Sequence, residues 1–60
     1  MTQNDKYFED RNNNAMDAII RDLGFENPYT IKFCEEVEKN PTMGILQLQR
    51  LMAETYKLAC

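Results

Sequence analysis

Sixty residues make one small domain, and a chain of that size buries only about 60% of the surface its unfolded form exposes, so a disulfide, a metal or a second subunit would be a natural aid to stability. Hydrophobic residues at 43% and charged ones at 28% describe a globular chain rather than a disordered tail, and no apolar run approaches the ~18 residues of a membrane span. The net charge of −3 is carried by the first thirty residues, with six acids against three bases, while the second thirty hold four of each; no basic stripe of the kind that binds phosphate backbones stands out.

In chain order, the polar start MTQNDKYFEDRNNN is not expected to be a secretory signal. Thr2-x-x-Asp5 has the spacing of a helix-capping pair, in a weaker form than one with Glu or Gln at the fourth place. Phe8 shares a helical stripe with Ala15, Ile19 and Leu23, which favours one long first helix. Asn12, Asn13 and Asn14 resist that reading, because their side chains compete for backbone partners. The expectation is a continuous helix with a soft middle; the alternative is a break, with Asn14 capping a shorter helix. Ala15, Met16, Ile19, Ile20 and Leu23 form its apolar face. Gly24 is the expected left-handed terminator, and Phe25 the hydrophobic contact that folds back beneath it.

Two Asn-Pro pairs follow, Asn27-Pro28 and Asn40-Pro41. Asn is a favoured N-cap, proline suits the first helical position, and proline turns the residue before it out of the helical region. Both pairs therefore predict helix starts, with surface turns as the competing reading. Helix 2 is expected over Pro28 to Lys39, with Tyr29, Thr30, Phe33, Cys34 and Val37 facing inward. Lys32, Glu35, Glu36, Glu38 and Lys39 face outward and offer i,i+4 pairs of opposite sign.

Helix 3 is expected from Pro41 or Thr42 to the end. Its wheel carries an apolar arc of about 160° with Ile45, Leu48, Leu51, Met52, Tyr56, Leu58 and Ala59, and Gly44 and Thr55 among them. Beyond the arc lie Gln49, Cys60, Ala53 and Leu46, none of them charged. Only Gln47, Arg50, Glu54 and Lys57 make a plainly polar strip. Two short neighbours have little surface with which to cover so wide an arc. Leu46 and Ala53, with Met43 beside the polar strip, are the expected uncovered patch, and Arg50 and Lys57 lie at its edge. The fold class read from this pattern is all-α, a three-helix domain with a long first, short second and long third helix, capable of self-association.

The residues offer little chemistry. Histidine is absent, and Cys34 and Cys60 lack the spacing of a metal or redox motif, so free thiols in a reducing cytoplasm are expected. Paired carboxylates fall on charged faces, the two glycines form no phosphate loop, and NDKYFEDRNNN lacks the spacing and the glycine of a calcium loop. Neither an enzyme nor a cofactor or metal site is expected. The reading that remains is an acidic helical interaction module, a regulator or inhibitor that docks its third helix on another protein or on a second copy, with a homo-oligomer the expected form. The residues expected to make the contact are Met43, Leu46, Arg50, Ala53 and Lys57. Two alternatives stand beside it: a helix-turn-helix DNA reader using Gln47, Gln49, Arg50 and Lys57, and an acidic mimic presenting Asp5, Glu9, Asp10, Asp17 and Asp22. Nucleic acid and membrane are not the expected partners.

Overall fold

In a computed structural model of the chain, which describes residues 3–60 and the side chains from residue 6 onward, three helices pack on one another in all three pairings. They are α1 (Gln3–Leu23), α2 (Pro28–Lys39) and α3 (Ile45–Ala59). The Thr2–Asp5 capping pattern lies outside the described residues. Helix α1 is continuous through the three asparagines, as the stripe from Phe8 to Leu23 requires. At about 1.5 Å per residue its 21 residues reach roughly 31 Å, most of the molecule's 37 Å long dimension.

Helix α1 stops where glycine allows it to. Gly24 has φ +99°, a region that L side chains enter only with strain, and its N–H donates to the Ile20 carbonyl at 2.9 Å. That single bond is the simpler left-handed cap, whose hydrophobic contact involves the glycine position rather than the residue after it. Phe25 therefore has no seat against α1. It is 72% exposed, contrary to the expectation that it folds back.

The two Asn-Pro pairs do different jobs. Asn27 caps α2: its Oδ1 accepts the Tyr29 N–H at 2.8 Å, and Pro28 opens the first turn. Asn40-Pro41 does not begin α3. Asn40 closes α2 by donating its N–H to Glu36, and its carbonyl accepts the Met43 N–H at 3.2 Å. This makes a four-residue turn with Pro41 in the second place, where its fixed φ fits. The Pro41 carbonyl, which a helix would have turned toward Ile45, accepts from Asn12 instead. Helix α3 thus starts later than expected, with Gly44 as an N-cap that supplies no side-chain bond.

The core draws on every segment: Ala15 and Ile19 from α1, Phe33 and Val37 from α2, Met43 from the turn and Leu48 from α3. Met16, Leu23, Cys34, Leu51, Met52 and Tyr56 close around them. Full burial of a side chain the size of Phe33, Ile19 or Leu48 stabilises by about 1.5–3 kcal/mol. The inward face expected for α2 is the buried one at Thr30, Phe33 and Val37, with Cys34 half-buried and Tyr29 at the edge.

Candidate docking surface on α3

The direction in which α3 faces its neighbours is set by Leu48 and Thr55, its two buried residues. They lie seven positions apart and therefore on one side of the helix. Around 180° away on the wheel come Leu46 and Ala53, which point off the molecule. Leu46 is 75% exposed, the most of any large hydrophobic residue among those described, and Ala53 is also exposed. Arg50 and Lys57 are exposed on the next strip around the helix, so four of the five residues expected at the contact share one open ridge.

Met43 is the fifth, and it is not there. With α3 beginning at Ile45, Met43 belongs to the turn rather than to the helix wheel, and its side chain is drawn into the core at 5% exposure. The apolar arc is also less fully covered than its breadth suggests. Ile45, in the first turn of the helix, and Leu58 at the arc's far margin, 61% exposed, stay open although Leu51, Met52 and Tyr56 on the same arc pack against the core.

Shallow grooves flank the helices, and a small one of about 210 Å³ lies between Glu36, Asn40, Arg50 and Glu54. One, about 240 Å³, runs between α2 and α3 over Phe33, Leu51 and Leu58, with Lys32, Glu36 and Glu54 on its rim. Another, about 280 Å³, lies where Phe8, Met16, Val37 and Pro41 meet. All are smaller than the ~300–1,000 Å³ that usually enclose a small molecule.

The region around Asn12 was the part least legible from sequence. Asn12 is 4% exposed, and its Nδ2 donates to the Pro41 carbonyl at 2.6 Å. Its Oδ1 accepts from Arg11 Nε and Nη2 at 3.2 and 3.0 Å. The Arg11 guanidinium in turn lies 4.8 Å above the Phe8 ring, and Phe8 meets Tyr7 edge-to-face. A residue that weakens a helix in isolation here ties α1 to the α2–α3 turn. A second clasp joins α1 to α3, where Tyr56 Oη donates to Asp22 Oδ2 at 2.6 Å. That hydrogen bond, aided by partial burial and the Asp22 charge, raises the Tyr56 pKa above the ordinary phenol value.

Burial, and then the charge of Glu38, push the Cys34 thiol above its usual pKa, so the core cysteine is a poorer nucleophile than a free thiol. Among the described residues no cluster of His, Cys, Asp or Glu is suited to a metal ion, and no helix is long and apolar enough to cross a membrane. Compared with known protein families, curated proteins and solved structures, the chain matches none.

Proposed function

We propose that this chain is a non-catalytic protein-interaction module of the cytoplasm, a regulator or inhibitor that docks the outward ridge of α3 on a partner protein or a second copy. One observation carries the reading: Leu46 and Ala53 lie opposite the buried side of α3, where none of the described residues covers them. An exposed leucine by itself is common, but here it continues into Ala53 and Gln49 along an uncharged strip with a half-exposed Ile45 at its end. Recognition would follow the helix-pair mode, in which anchors three, four and seven residues apart meet an apolar partner face.

The alternatives have less support. A DNA reader using Arg50 and Lys57 would bring Glu36 of α2 and Glu54 of α3, which line one groove with Arg50, toward a polyanion and leave Leu46 against phosphate. The acids of α1 are interrupted by Arg11 and Arg21, and Asp22 is already engaged by Tyr56.

Light scattering on the whole protein, beside affinity capture from its native host, tests the reading with Leu46→Asp as the comparison. The variant is expected to lose either the oligomer or the captured partner while keeping its helical circular dichroism. Identical mass and an identical captured set for the two proteins would refute it.

A further inference from the structure

Resting on the docking role of α3, we infer the chemistry of the partner: an acidic amphipathic helix carrying two carboxylates about two turns apart. Leu46, Arg50, Ala53 and Lys57 stand at i, i+4, i+7 and i+11 and form one exposed ridge, apolar and cationic by turns. Ala53 is its low point, a small side chain that lets another backbone come close. Arg50 and Lys57 flank it seven residues apart, about 10.5 Å along the axis. An occupant that covers Leu46 and seats an apolar side chain over Ala53 must bring both cations close to its own flanks. Acids there are favoured and bases are opposed.

A second copy of this chain fits poorly in each arrangement. With two α3 helices antiparallel so that Leu46 lies against Ala53 of the other copy, Arg50 falls level with its own duplicate on one flank, as like charges, and Lys57 lies beyond the other copy's first turn. With them parallel, the same cations meet Ile45 and Met52, so no acid of the other copy answers them beside the Glu54 of their own helix. Laying α3 on the α1 of another copy does offer acids at the right spacing, Asp10 and Asp17, both exposed. Between them on that strip stand only Asn13 and Asn14, which give Leu46 no apolar cover, and such a contact is head-to-tail and does not close. Area points the same way. A permanent homodimer takes about 1,000 Å² or more from each copy, over a fifth of this chain's 4513 Å², whereas the ridge is a single helix about 22 Å long. Duplex DNA would satisfy the cations but leave the leucine uncovered.

The test uses two fluorescein-labelled helical peptides of 21 residues with the same leucine seam, one flanked by glutamates seven residues apart and the other by lysines. Each is titrated with the whole protein and followed by anisotropy at low and high salt. The glutamate peptide is expected to bind at least about tenfold more tightly than the lysine peptide, with the difference shrinking as salt screens the flanks. The Arg50→Glu/Lys57→Glu double variant should reverse that preference, and Leu46→Asp should abolish both bindings, with circular dichroism confirming that each variant is folded. Equal binding of the two peptides, or tighter binding of random duplex DNA, overturns the acidic-helix proposal. If neither peptide binds but Leu46→Asp disperses an oligomer seen by light scattering, the docking role survives and the partner is a second copy. If Leu46→Asp changes none of these measurements, the docking role falls as well.

Discussion

Asn12 and Thr30 are both buried polar residues, and they differ in whether the fold answers them. Every polar atom of the Asn12 side chain is engaged, with Arg11 on its oxygen and the Pro41 carbonyl on its nitrogen. Removing it frees a carbonyl in a part-buried turn and lets the α2–α3 connection drift. Asn12→Ala is therefore expected to lower stability by about 1–3 kcal/mol, read as a shifted urea midpoint with an unchanged slope. Thr30 is the opposite case: 1% exposed, with an Oγ that meets no hydrogen-bond partner among the described residues. A buried hydroxyl left unpaired costs on the order of 1 kcal/mol or more. Thr30→Val keeps the shape and deletes that cost, so a gain of about 1 kcal/mol is expected by the same titration, and a loss would show that the hydroxyl is satisfied in solution.

At the scale of the element, α2 and α3 begin differently. Asn27 gives α2 a side-chain cap, whereas Gly44 gives α3 none. The backbone at Gly44 has φ −66° and ψ 158°, values open to any residue, and a Cβ placed there meets nothing within 4 Å. Gly44→Asp should therefore cap α3, favour its N-terminal dipole and restrict the unfolded chain, together a gain of about 0.5–1 kcal/mol. In a domain of this size a gain near 1 kcal/mol raises Tm by about 4–8 °C, which a calorimetric scan resolves. No such gain is available at Gly24, whose φ of +99° is the reason α1 ends there.

Across the whole molecule, few contacts tie the long first helix to the last, and the Tyr56–Asp22 bond is one of them. Because the folded state raises the Tyr56 pKa, it holds the phenolic proton more tightly than the unfolded chain does. The clasp therefore contributes fully below the unfolded value near 10, and its contribution fades as pH rises through the higher folded value. Thermal melts from pH 8 to pH 11.5 should show an alkaline fall in Tm that is shallower in Tyr56→Phe. Parallel curves for the two proteins would mean that the clasp does not form in solution. With so few residues in its core, the molecule depends on such ties more than a larger domain would.

Local rules were enough to read three helices, the glycine stop after Leu23, the Asn27 cap and the inward face of α2, because each depends on residues within one or two turns of one another. The open positions of Leu46 and Ala53 were legible as well, since the wheel had more uncharged surface than two short helices can hide. Tertiary structure decided the rest. It spent the second Asn-Pro pair on a turn, because Asn12, twenty-nine residues away, claims the Pro41 carbonyl. It drew Met43 inward and left Ile45, Leu58 and Phe25 in solvent, because burial depends on where neighbouring helices happen to lie and not on the polarity of the residue alone. The run of asparagines that looked weak for a helix holds, at Asn12, because the bond completing it comes from another part of the chain.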